Sequence, residues 1–196
     1  MATVTVVNSV TLDGVMQAPG RQGEDNRGGF PYGGWTAPYQ DPVMAQTMGK
    51  GMAQQDGALL FGRRTYEDFY NVWPKRTDNP FTPVLNNTTK YMCSYAVGEP
   101  LPWENSVLVK GEARETVAAL KGRIGGNLTV LGSGVLVRAL LKARLVDRLV
   151  LSIYPITLGV GTKLFGHDET GVSAFDLVEA VPTTKGVIIA TYELKP

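Results

Sequence analysis

Cysteine and histidine are nearly absent from this chain: Cys93 and His167 are the single examples among 196 residues. One cysteine excludes an internal disulfide framework and is compatible with a reducing compartment. Its apolar YMCS setting reads as a buried structural thiol rather than a nucleophile. One histidine, in the polar stretch GHDETG, leaves Ser-His-Asp or Cys-His chemistry with a single candidate base, and zinc without its usual imidazole set. No run reaches the roughly 18 apolar residues that spanning a bilayer requires, and no basic then apolar leader opens the chain. The formal net charge is only +1, so no broad attraction to nucleic acid or an anionic membrane is expected. These absences lead to the expectation of a cytoplasmic protein that acts on a small molecule, without metal, nucleic-acid or membrane partners.

What is present is a globular composition, 43% hydrophobic and 19% charged, without internal repeat or linker; residues 1–196 read as a single domain. Thr3–Val7 is a β-branched strand of central character, left through the Asp13-Gly14 turn signal. A long segment from Met16 to Pro38, rich in Gly, Pro and aromatics, is too long for an ordinary connection and reads as a lid or pocket wall, or else as a surface loop. Asp41 followed by Pro42 starts a helix expected to run to about Gln55, with Val43, Met44, Met48, Met52 and Ala53 inward. Ala58–Phe61 is a short buried strand, and Tyr66, Phe69, Tyr70 and Trp73 then recur at helical spacing until Pro74. Lys75–Asn87 reads as looser. Strands follow at Lys90–Ser94 and Val107–Lys110, then a helix over Glu112–Lys121. A strand from Leu128, a helix after Gly134, a strand over Arg148–Tyr154, and a hairpin of Phe175–Val181 with Val187–Leu194 complete the pattern. Such alternation predicts an α/β fold with a mixed, mostly parallel central sheet flanked by helices and closed by an antiparallel hairpin.

Ligands of such sheets bind beyond the strand C-termini, and two motifs fall there. Gly132-Ser133-Gly134, followed by Val135, joins a strand to a helix whose first N–H groups and positive dipole end suit a phosphate. With 23 glycines in the chain, a packing-driven turn is an equal reading of that motif alone. Gly62-Arg63-Arg64-Thr65 puts backbone N–H groups, a hydroxyl and two guanidiniums at a second such turn. That set suits a phosphate monoester such as the 2′-phosphate of NADP. The competing reading is a solvated arginine pair with Thr65 at the helix start. The pattern is not G-x-G-x-x-G, so an ordinary Rossmann unit is excluded.

At these residues the chain resembles the dihydrofolate reductase superfamily, and within it the branch of the C-terminal reductase domain of riboflavin biosynthesis. SVTLDGVM resembles the family's opening S-x-(D/N)-G, and FGRRTYE its G-R-x-T-(W/Y)-E. VLGSGVLVRALL resembles its Gly turn and helix, and PITLGVGTKLF the P-x-x-L-G-x-G-x-x-L-F of the riboflavin-type branch. The resemblance implies a dihydrofolate reductase-like fold, NADPH-dependent hydride transfer and, for this branch, a homodimer. It implies that Arg63, Arg64 and Thr65 hold the 2′-phosphate, that Ser94 lies near the adenosine, and that Gly132, Ser133, Gly134 and Val135 cradle the pyrophosphate. The backbone around Asp13–Met16 would border the nicotinamide.

Folate reductases proper carry a helix carboxylate that binds the pterin. Asp41 is its counterpart here, although the helix-start reading makes it an N-cap; Asp13, otherwise a turn residue, is the second candidate catalytic acid. Tyr32, Trp35 and Tyr39 are candidates to stack on a flat substrate, or else are ordinary packing. Two functions follow: an NADPH-dependent oxidoreductase of a small pteridine- or pyrimidine-like heterocycle, or a binding module that keeps the dinucleotide pocket without turnover.

Overall fold

The β-branched opening of the chain becomes strand β1, Thr3–Thr11, in a computed structural model that describes residues 1–53, 57–96, 98–166 and 171–195. The other strands are β2 (Gly57–Gly62), β3 (Lys90–Ser94), β4 (Ser106–Lys110), β5 (Asn127–Leu131), β6 (Arg148–Tyr154), β7 (Phe175–Pro182) and β8 (Ile188–Leu194). The helices are α1 (Pro42–Ala53), α2 (Arg63–Val72), α3 (Phe81–Asn87), α4 (Ala113–Arg123) and α5 (Gly134–Lys142). The described strands form one eight-stranded sheet of order β4-β3-β2-β5-β1-β6-β8-β7. From β4 to β6 all neighbours are parallel, whereas β8 pairs antiparallel with β6 and β7 with β8. The mixed, mostly parallel sheet with a C-terminal antiparallel hairpin is therefore the fold that the alternation predicts.

A sheet covered on both faces needs strands that are apolar at every position, and β2 shows why. Ala58 and Leu60 enter the core under α4 and α5, while Leu59 and Phe61 enter the aromatic cluster of Tyr66 and Trp103 on the other face. The period-2 alternation of a strand thus feeds two separate cores. Strand β6 lies between β1 and β8, so Arg148–Tyr154 is an internal strand of this sheet.

Two boundaries differ from expectation in a way that matters. Strand β1 continues past Val7 because Asn8–Thr11 stay paired with Leu151–Tyr154 of β6. Its other neighbour, β5, ends at Leu131 opposite Val7, so the sheet opens a notch at Asn8. The segment expected to be loose contains α3, started by the Asn79 carboxamide oxygen accepting from Phe81 N at 2.9 Å. Pro83 sits in its first turn, where no N–H is needed. Among the described residues, no helix is long and apolar enough to cross a membrane. His167 and the expected helix end at Gln55 lie outside the described residues.

Helix α3 also explains a fully buried lysine. Lys90 Nζ donates to Leu85 O, Asn86 O and Thr88 O at 2.7–2.9 Å, and lies 4.7 Å from the Trp103 ring centroid. Burial pushes its pKa down to about 8, which leaves it charged at pH 7, and the three acceptors match the three N–H groups of an ammonium. It closes the C-terminus of α3, where a cation also meets the negative end of the helix dipole. Replacing Lys90 by Met would take this donor from Leu85 O and Thr88 O, each loss costing about 1–3 kcal/mol, while Asn86 O keeps Asn105 Nδ2 as a donor. We expect Lys90→Met to lower stability by about 2–5 kcal/mol, read as a shift of the urea midpoint at unchanged slope.

Candidate functional site

The two Gly-containing turns stand side by side because β2 and β5 are sheet neighbours. Gly132 and Ser133 both take left-handed conformations, φ 59° and 53°, which swing the chain from β5 into α5. The Ser133 hydroxyl accepts from Gly62 N at 3.0 Å and donates to Leu131 O at 3.2 Å. Ser133 N in turn donates to the Thr65 hydroxyl at 3.2 Å. The start of α2 and the start of α5 are thus bolted into one surface. Space there is tight: a Cβ at Gly132 would lie 3.2 Å from Thr65 Cγ2, and one at Gly134 only 2.5 Å from the Met16 sulfur. The first bond within α5 runs from Val137 N to Ser133 O, so Gly134, Val135 and Leu136 keep N–H groups without a carbonyl four residues back. Ser133 is 7% exposed with its hydroxyl taken up by the brace, so what it offers to a ligand is the placement of the turn.

This surface floors a cleft of about 1260 Å³ at the C-terminal ends of the parallel strands. That exceeds the roughly 300–1000 Å³ of a drug-sized site, leaving room for a dinucleotide and a second small molecule. Gly62, Arg63, Arg64, Thr65, Ser94, Gly132, Ser133, Gly134 and Val135 all line it. Arg63 and Arg64 are exposed, and Arg63 makes only a 3.6 Å surface pair with Glu67, a contact worth little in water. Arg21, Arg27, Arg76 and Arg138 also face the cleft, against the carboxylates Glu24, Asp25, Asp68 and Glu112. Burial pushes the Glu24 carboxyl up, whereas hydrogen bonding to Arg27 holds Asp25 down. Cys93 lines the cleft too, but burial pushes its thiol up to about 12, so it stays protonated and inert, as its sequence setting implies. Among the described residues no group of acidic, histidine or cysteine side chains could hold a metal ion.

The candidate carboxylates stand elsewhere. Asp41 Oδ1 accepts from Met44 N at 2.7 Å, a true N-cap, and Oδ2 accepts from Thr184 Oγ1 and Lys185 N in the β7–β8 turn. Asp13 accepts from the Thr11 hydroxyl and from Leu158 N and Gly159 N, tying the end of β1 to a distant loop. These hydrogen bonds hold both carboxyls below the usual range, and neither residue lines the cleft. An ionised, multiply hydrogen-bonded carboxylate is a poor proton donor, and these bonds give Asp41 the N-cap role and Asp13 the turn role that are the alternative readings of each.

The aromatic expectation is corrected as well. Trp35 is buried edge-on against Tyr154, with ring centroids 5.1 Å apart, and its indole N–H donates to Gln17 O at 2.8 Å. Tyr39 packs on the other side of Tyr154 at 5.5 Å, and Tyr32 stands half-exposed beside Phe30. None of the three faces the cleft; Phe69, Trp73 and Phe81 do, with Met48 and Val72. In sequence Phe69 and Trp73 read as a helical apolar face and Phe81 falls in the looser segment, and nothing local marks which aromatics a cleft will use.

The segment from Met16 to Pro38 is a built wall. Gln17 is 5% exposed: its Nε2 donates to Asp25 O and Arg27 O, and its Oε1 accepts from Thr162 N and Oγ1. Gly33 and Gly34 let residues 21–23 lie directly on them, since a Cβ at Gly33 would fall 2.9 Å from Arg21 O.

The brace has a measurable consequence. Ser133→Ala takes the hydroxyl from Gly62 N and Leu131 O while the Ser133 N to Thr65 bond remains, and should cost about 1–3 kcal/mol in urea denaturation. Val135→Ala, at a 68% exposed position on the same turn, should stay within about 0.5 kcal/mol of the parent.

The model of the RibD C-terminal domain family matches residues 2–189. Bacillus subtilis (strain 168) protein YyaP is 27% identical over 161 residues, covering 80% of this chain and 77% of that protein. A solved structure of a Shewanella sp. PV-4 protein assigned to riboflavin biosynthesis superposes with TM-score 0.68 at 24% identity, over all of both chains. Dihydrofolate reductase from Enterococcus faecalis, solved with NADP(H), superposes with TM-score 0.63 at 16% identity over 99% of this chain and 97% of that one. At those identities the two structures speak for the fold, which is dihydrofolate reductase-like, while the family model spans nearly the whole sequence. This chain belongs to the RibD C-terminal domain family.

Proposed function

We propose that this protein is an NADPH-dependent reductase that delivers a hydride to a small planar heterocycle of pteridine or pyrimidine type. The observation that carries the reading is the bolted pair of turns: Gly62–Thr65 and Gly132–Val135 form one hydrogen-bonded surface in a cleft with room for a dinucleotide. Arg63 and Arg64 supply exposed forks for a 2′-phosphate, and Thr65 stands between them and the Gly turn. The unpaired N–H groups of Gly134 and Val135 face the diphosphate, and Ser94, at the end of β3, borders the adenosine. The tight fit of Gly132 and Gly134 against Thr65 and Met16 accords with a backbone surface that a phosphate must approach closely.

When bound, the nicotinamide supplies the hydride. The chain's own part is placement and exclusion of water. Met16 and Gln17, following β1, wall the inner end of the cleft, and the apolar side of Met48, Phe69, Val72, Trp73 and Phe81 accepts a flat ring. With Asp41 and Asp13 ionised outside the cleft, the proton that accompanies the hydride enters from solvent. That same displacement of both carboxylates favours a second reading, a dinucleotide-binding module without turnover. Oxidation of NADPH in the presence of pteridines and pyrimidines separates the two.

The cofactor assignment is tested by titration, following quenching of tryptophan fluorescence. Arg63→Ala with Arg64→Ala should weaken NADPH binding about 10- to 100-fold and NADH binding less than about 3-fold, since charge-assisted bonds to the 2′-phosphate are worth about 1.5–3 kcal/mol. Equal losses for both nucleotides would remove the 2′-phosphate assignment.

A further inference from the structure

A short strap lines the cleft, and its tip is held by charge. Glu24 Oε2 accepts from Gly20 N at 2.7 Å and Arg21 N at 2.9 Å, closing residues 20–24 into a turn seated on Gly33 and Gly34. From this turn Arg21 reaches α2, where its guanidinium engages both oxygens of Asp68, Nη1 to Oδ2 at 3.2 Å and Nη2 to Oδ1 closer still. Asp68 lies three residues beyond Thr65, and residues so spaced occupy the same helix face, roughly 5–6 Å apart at Cβ. Thr65 is the residue whose hydroxyl receives Ser133 N from the Gly turn. Arg21 therefore pairs with α2 within one helical turn of Thr65, and Arg21, Thr65 and the Gly turn all line the same cleft.

We propose that Arg21 is an additional cofactor-binding residue held in reserve by Asp68, and that its guanidinium exchanges the Asp68 carboxylate for oxygens of the dinucleotide's diphosphate. The inference rests on the dinucleotide reading above and deepens it. A carboxylate and a phosphate offer an arginine fork the same paired-oxygen geometry, so the exchange needs no change in the fork itself. The existing pair is weakly defended. Arg21 is 42% and Asp68 26% exposed at their side chains, a setting in which an ion pair is worth at most about 1 kcal/mol. A diphosphate brings more charge and sits against the positive end of α5. Asp68 keeps the guanidinium at the cleft wall and competes with the ligand for it. The strap's other ties, through Gln17, Glu24 and the Gly33-Gly34 seat, do not involve Arg21's side chain and persist through the exchange.

The two partners then act on affinity with opposite sign, which a merely structural latch does not. Asp68→Asn, of equal size, removes the competitor, and NADPH should bind about 3- to 5-fold tighter. Arg21→Ala removes the fork, and NADPH should bind about 5- to 20-fold weaker. Arg21→Lys, which keeps the charge, should fall between, and the Arg21→Ala, Asp68→Asn double variant should match Arg21→Ala alone. Binding is read by tryptophan quenching, with a thermal melt of each variant as the folding control, and inorganic pyrophosphate serves as a second probe for the same order. Weakening by both single variants, or no change with Arg21→Ala, overturns the exchange while leaving the dinucleotide site standing. Failure of the parent protein to bind NADPH or NADH overturns the dinucleotide reading and this inference with it.

Discussion

The hydroxyl of Ser133, set between Gly62 N and Leu131 O, is the contact on which the candidate site depends. Neighbouring strands of a parallel sheet bring their C-terminal turns together, but do not by themselves lock the two turns into one surface. Two hydroxyls supply that lock, Ser133 Oγ accepting from Gly62 N and Thr65 Oγ1 from Ser133 N, each occupying a backbone group that would otherwise be orphaned at a helix start. The left-handed backbone at Ser133, a residue with a Cβ, is the strain that this brace offsets, whereas Gly132 takes the same region freely. Removal of either partner would loosen both helices at the ends that face the cleft.

Around that floor the chain arranges electrostatics in the same economical way. The cleft wall carries six arginines and four carboxylates, although the whole molecule is near neutral. Asp25 and Asp68 already hold Arg27 and Arg21, while Arg63 and Arg64 at the start of α2 stand exposed. Anionic ligands thus meet a graded surface: arginines open to solvent at one turn, and one held in place by Asp68 at the next. Asp41 and Asp13 are the counter-example. Their carboxylates stitch separate loops to helix and strand ends, and the hydrogen bonds that do so also hold them ionised.

Features encoded by adjacent residues are legible in the sequence itself. Asp41-Pro42 announces a helix start, and Met44 N does bond to Asp41 Oδ1. The strand-turn-helix units at Gly62 and Gly132 follow from apolar runs that end in residues tolerant of special backbone angles. Arg148–Tyr154 reads as a strand with its observed ends. By contrast, helix α3 is hidden in the sequence because Pro80 and Pro83 mask a seven-residue helix whose start signal, Asn79, lies two residues upstream of Phe81. Aromatic residues mislead for another reason: ring chemistry is the same in a core and in a cleft. Trp35 packs on Tyr154, whereas Trp73, which reads as helix core, reaches the cleft.

The sequence by itself determined the class of fold, the family and the positions of two strand-to-helix turns, because periodicity, capping and glycine conformations act over a few residues. Tertiary structure alone decided that these turns touch, that Asp13 faces Leu158 and Gly159, and that Arg21 meets Asp68. Those partners lie 47 to 146 residues apart in the chain. A carboxylate or guanidinium carries no local mark of which opposite charge or backbone amide will reach it. Only the order of strands in the sheet, and the notch where β1 outruns β5, brings each pair within hydrogen-bonding distance.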